Sequence, residues 1–216
     1  MSADRKSFWR DESGSSMIEF TVAMTGFFLI LFGIIEFSYV FYQWNAATKA
    51  VQFGARLAAV SDPVASALTT LTGMEGGALP GDAMPNFNYV CTAASSTCNV
   101  DGGDGGVRDL TALNTLVYGR GNGTNCIGTG ANIGMCNIFS GILPANVKIR
   151  YQYTGLGYAG RPGSTPARAG GPVPTITVSV IGLSYNYFFL SGLMNLTSVT
   201  MPPLATTVTG EDLNVN

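Results

Sequence analysis

The sequence predicts an α+β protein: a long N-terminal helix with a membrane-embedded first half, continuing into a small exported domain of short helices and an antiparallel sheet. Three observations carry this. An apolar stretch runs from Phe20 to Trp44 with Glu36 as its one charge. Helical spacing of apolar residues then persists from Ala47 to Ala58, and the alternation expected of strands is clearest late, from Val147 onward.

Composition narrows the function classes. Charged residues make up 11% of the 216, against about 25% in an ordinary soluble chain. The 28 Gly and 10 Pro imply long loops, and the length suits one domain of ordinary size plus an appendage. A net charge of -2 offers no basic footprint for phosphates, so no nucleic acid partner is expected. The chain has no His, which removes Ser-His and Cys-His nucleophile pairs and His-ligated zinc. With no positioned base, metal cluster or phosphate-binding glycine loop in view, no catalytic residue, no metal and no cofactor is expected, and the protein is not expected to be an enzyme.

Between Glu19 and Glu36 lie 16 uncharged residues, which as helix span about 24 Å, a little short of the ~30 Å hydrocarbon core. The two carboxylates are thus expected near opposite edges, and Tyr39, Tyr42 and Trp44 form an interfacial belt. Glu36 reads either as an interfacial carboxylate snorkelling to water or as a buried inter-subunit contact. Gly26 and Gly33, two turns apart, mark a face where another helix could approach closely.

Arg5, Lys6 and Arg10 before the span face Lys49 and Arg56 after it, a thin positive-inside bias. Cysteine breaks the tie. Cys91, Cys98, Cys126 and Cys136 all lie beyond the span, as expected if that side is oxidising. A cleaved secretory signal fits poorly, since the apolar core is too long and Thr48-Lys49-Ala50 is a weak cleavage site.

Past the span, Ala47, Ala50, Val51, Gly54, Leu57 and Ala58 form an apolar stripe with Lys49, Gln52 and Arg56 off it, so one helix is predicted from about Met17 to Val60. Ser61-Asp62-Pro63 then caps a shorter helix over Val64 to Thr72, closed by Gly73. Another is predicted from Asp109 to Tyr118. Alternation from Val147 to Thr154 and from Thr175 to Val180 predicts two strands that pair as a long-looped antiparallel hairpin, with weaker strands at Phe87 to Cys91 and Ser198 to Met201.

Four cysteines allow three pairings, and the local one is expected because short loops close readily: Cys91 with Cys98 and Cys126 with Cys136. The acid-glycine run from Asp101 to Gly106 has the composition of a calcium loop, but it lacks the EF-hand pattern and reads better as a solvated loop. Tyr185, Tyr187, Phe188, Phe189 and Leu190 form an aromatic cluster, read as core packing against the long helix or, if exposed, as a subunit or membrane contact.

Ahead of the apolar run the chain reads as a leader with six charges, then Gly14, four uncharged residues, Glu19 and the hydrophobic helix. This is the arrangement prepilin peptidases recognise. The stretch from Gly14 to Val60 resembles the N-terminal helix of TadE-like minor pilins (pseudopilins) of the tight-adherence, or Flp, pilus system, and the segments Tyr153 to Gly163 and Pro202 to Leu213 resemble others in that family. The resemblance implies a pilin-like fold and cleavage after Gly14, making Ser15 the new N-terminus and Glu19 its fifth residue. Glu19 would then pair with a neighbouring subunit's terminal amine and set the axial register. A solvated carboxylate favoured by the helix dipole is the plainer reading of Glu19.

The resulting organisation is a cytoplasmic leader over 1–14, a transmembrane helix over 15–44, its amphipathic extension over 45–60 and an exported, disulfide-containing domain over 61–216. The expected partners are the bacterial inner membrane, a prepilin peptidase and other pilus subunits and assembly components. The alternative is an unprocessed bitopic anchor whose exported domain recruits partners or binds an extracellular ligand.

Overall fold

The structure, a computed structural model, describes residues 13–100, 105–121, 123–162, 172–189, 191–192 and 198–210. Most of the leader, Asp101 to Asp104 of the acid-glycine run, Gly163, Leu190 and the end of the Pro202 to Leu213 segment lie outside them. The chain divides into two compact units, one of residues 1–42 with 186–199 and the other of residues 43–185 with 200–216.

Helix α1 runs unbroken from Ser13 to Ala59. No proline interrupts it, and its hydroxyls support it: Thr21, Thr25 and Ser38 donate to the carbonyls of Met17, Thr21 and Ile34 at 2.7, 2.8 and 2.8 Å. Its C-terminal half follows the predicted stripe. Ala47, Ala50, Val51, Gly54 and Ala58 are buried and Leu57 half-buried, while Lys49, Gln52 and Arg56 are exposed. Gly54 is required by proximity, because a Cβ there would meet the Sδ and Cγ of Met135.

The second unit is built on an antiparallel sheet whose described strands run in the order β2-β1-β3-β4-β7. They are β1 (Asn88–Thr92), β2 (Asn99–Val100), β3 (Val147–Gln152), β4 (Thr175–Val180) and β7 (Leu204–Thr209). Register places Cys91 beside Ile149 and Val178, and Tyr89 beside Tyr151 and Ile176, so one face carries an apolar band. Ile149, Tyr151, Ile176 and Val178 are fully buried, in a core that also holds Leu113, Leu116 and Val117. The opposite face is polar: Arg150 Nε donates to Asn88 Oδ1 at 2.7 Å, and the Thr177 and Thr207 hydroxyls meet at 2.9 Å.

The long-looped hairpin is present as the β3–β4 pair, and the helix predicted from Asp109 is α3 (Leu110–Tyr118), with the Asp109 carboxylate accepting from Thr111 and Ala112 N–H as N-cap. Tyr153 falls outside β3, though its N–H still donates to Phe87 O. The Phe87 and Ser198 segments form β1 and β6 (Ser198–Thr200), which pairs with β5 (Ser184–Asn186).

The helix expected over Val64 to Thr72 shrinks to α2 (Ala67–Thr70), with Ser66 rather than Ser61 or Asp62 at its N-cap. Tertiary partners claim the backbone of the missing turn. Val64 N–H donates to the Tyr151 hydroxyl at 3.0 Å, Val64 O accepts from Asp109 N–H at 2.8 Å, and Ala65 bridges to Arg108 in antiparallel fashion. With Val64 O given to Asp109, Leu68 N–H donates to Ala65 O instead of closing the helical bond to Val64.

The cysteines pair Cys91 with Cys98 and Cys126 with Cys136, with Cα separations of 4.4 and 5.7 Å. The first bridge is buried and joins β1 to the loop before β2, while Arg108 Nη1 donates to Thr92 O at 3.1 Å and also to Ala93 O. The second ties an exposed Cys126 to a buried Cys136 on α4 (Met135–Ile138), the short helix that supplies Met135 beneath Gly54.

Candidate functional site

In the first unit, α1 presents an apolar surface that no described residue covers over most of its length. Ile18, Phe20, Val22, Phe27, Ile30, Ile34, Phe37 and Tyr42 are all more than half exposed. The helix over Gly14–Ala59 is long and apolar enough to cross a membrane. The hydroxyls of Thr21, Thr25 and Ser38 are satisfied within the helix, which is the condition for polar groups in hydrocarbon, where no water is available to them.

At the start of the helix, Gly14, Ser15 and Glu19 are exposed, and Ser15 Oγ donates to Glu19 Oε1 at 3.3 Å. Gly14 is already helical. Glu19 lies in the second turn of the helix as it stands, beyond the first turn where the dipole acts. The dipole therefore gives little account of it.

Gly26 and Gly33 are half-buried by their own helix, and a Cβ at either would meet nothing within 4 Å. The strip they define is open, and no described segment of this chain fills it.

Glu36 departs most from the sequence reading. It does not snorkel to water, being only 2% exposed. Its Oε1 accepts from Phe188 N–H at 2.7 Å and its Oε2 from Phe189 N–H at 2.6 Å, so its contact lies within the same unit of this chain. Nor does the apolar surface stop at Glu36, since Phe37, Phe41 and Tyr42 continue it, exposed, for two more turns. A carboxylate embedded in apolar surface is retained when its oxygens are hydrogen-bonded, and consecutive amides provide that here.

Rings extend the arrangement. Phe189 stacks on Phe32 at 4.9 Å, Phe32 stacks on Phe28 at 6.0 Å, and Phe188 sets its edge against Phe189 at 4.9 Å. The aromatic cluster thus divides: Tyr185 is buried, Phe189 packs on the long helix as expected, and Phe188 is 74% exposed. The Phe188 and Phe189 amides were invisible to a reading of side-chain patterns. The unusual aromatic run and the isolated acid in the span were the signals that could have joined them.

Among the described residues there is one apolar N-terminal helix long enough to span a membrane, followed in sequence by a small α+β domain. Residues 14–56 match the family model described as TadE-like protein, and over that stretch the chain is similar to that family. The match begins at Gly14 and covers the exposed shaft, Glu19, Glu36 and most of the alanine stripe. No curated protein and no solved structure matches the chain.

Proposed function

We propose that the protein is a minor pilin or pseudopilin that takes part in assembly of an adhesive tight-adherence type IV pilus. It inserts in the bacterial inner membrane with its N-terminus in the cytoplasm and its C-terminal domain exported. A prepilin peptidase removes the leader after Gly14. Ser15 then carries a free amine, and Glu19 pairs with the corresponding amine of an adjoining subunit, fixing axial register because an unpaired charge in hydrocarbon is costly. The role is structural rather than enzymatic, and its partners are pilus subunits and assembly components.

The observation that carries this reading is the TadE-like match starting at Gly14 on a helix whose lipid-facing surface is apolar and uncovered. Exposure of Glu19, with Ser15 Oγ as a neutral neighbour, leaves it accessible to a cation from another copy.

N-terminal sequencing of the membrane-fraction protein, with and without the peptidase, tests it. The expected mature protein begins at Ser15, and Gly14→Val accumulates a precursor carrying the 14-residue leader. An intact leader whatever the peptidase status supports the bitopic anchor instead. Glu19→Ala should insert normally and fail to assemble, and normal pili from that variant would refute the register role.

A further inference from the structure

The carboxylate of Glu36 and the turn at Phe188 satisfy each other completely enough to suggest where that turn resides. Phe188 N–H and Phe189 N–H go to the two oxygens of Glu36, and Phe188 O accepts from Ser191 Oγ at 3.4 Å. Irregular backbone tolerates hydrocarbon only when its polar groups are satisfied by protein, and this turn meets that condition at Phe188. Its outward face is the exposed Phe188 ring. Through Phe189 and Phe32 that ring is continuous with the aromatic surface of the shaft, and Phe37 and Phe41, which follow Glu36 along the helix, are exposed.

We infer that the Tyr187–Phe189 turn is a second membrane-contacting element, folded back beside the span with Phe188 among lipid acyl chains and tied there by Glu36. This rests on the reading of α1 as a membrane span. The occupant is lipid rather than solvent because the exposed Phe188 ring joins a surface that already needs lipid cover over its whole length. A water-facing turn would gain little from a carboxylate withdrawn beneath it, since water solvates amides and carboxylates alike.

The test uses the full chain in phosphatidylcholine–phosphatidylglycerol vesicles at low protein density, with Phe188→Cys carrying an environment-sensitive NBD label. The label is challenged with doxyl-lipid quenchers in the acyl region and with aqueous iodide. Ile30→Cys serves as the span reference and Leu79→Cys as the water reference. The expected result is doxyl quenching at 188 close to that at 30, with iodide quenching severalfold below that at 79. Adding Glu36→Ala should reverse the order, and Glu36→Gln, which keeps one acceptor oxygen, should fall between.

Iodide quenching at 188 equal to that at 79 overturns the inference, as does shielding from both quenchers, which would mean that a second copy covers the ring. An unchanged profile with Glu36→Ala overturns the tether. If the label at 30 also escapes the lipid quencher, the span reading fails and the inference with it.

Discussion

Glu36 and Phe189 stand 153 positions apart in the chain, yet Phe189 N–H donates to Glu36 Oε2 at 2.6 Å. Through that bond and its twin from Phe188, the acid in the apolar run is committed to the fold of its own chain. Its position in the span therefore has a structural reason independent of any partner.

Removing the carboxylate should free the turn. Glu36→Leu preserves the helix and its hydrophobicity but leaves two amides without their charged acceptor, at a cost of about 1–3 kcal/mol for each group left unsatisfied. Chymotryptic cleavage at Phe188 or Phe189 in detergent-solubilised protein should accelerate in Glu36→Leu and less in Glu36→Gln. Equal cleavage rates in all three proteins would contradict the assignment.

Gly54 tests the packing of the alanine stripe. Gly54→Leu drives a side chain into Met135, and overpacking of this kind costs about 1–3 kcal/mol. Thermal unfolding should shift downward, and Met135→Ala in the same chain should recover part of the loss by making room. Failure of that second change to help would locate the strain elsewhere.

Tyr151 links a buried hydroxyl to the shortened second helix. Burial pushes this hydroxyl above its ordinary range, while the Val64 N–H pulls the other way. A pKa raised on folding gives stability that is full below the unfolded value and lost as pH rises, because only the unfolded chain can release the proton. Stability should therefore fall above about pH 10, the ordinary tyrosine value, and Tyr151→Phe should flatten that slope. At neutral pH the same variant should lose about 1–3 kcal/mol, because Val64 N–H is left buried without an acceptor.

The two disulfides should differ in consequence. Cys91 and Cys98 are both buried, whereas Cys126 is exposed. Replacing the first pair by Ser places two hydroxyls in the core besides lengthening the free loop, so its loss should exceed the roughly 2–4 kcal/mol typical of a bridge. Loss of the second should stay near or below that figure, as read from chemical unfolding of each double variant.

Much was legible in the linear chain where the determinant is local. The span, its continuation along Ala47 to Ala58, the helix ending at Tyr118 and the β3–β4 alternation each follow from residue spacing that a helix or strand must express wherever it lies. Val64 to Thr72 misled because its helical signals were outweighed by Tyr151, Arg108 and Asp109, residues more than forty positions away. Strand β7 went unread because Leu204 to Thr209 is half threonine with no regular apolar alternation, and it becomes a strand by pairing with β4 at the sheet edge.

By itself, then, the sequence determined an apolar rod, a family-like start at Gly14 and an amphipathic hand-over into a mixed domain, since periodicity and hydrophobicity are properties of short windows. Only the tertiary structure decided that Glu36 turns inward to two backbone amides rather than outward to water. Amide N–H groups are common to nearly every residue and leave no mark in a sequence, so which of them meets an isolated acid is settled only when the chain folds back.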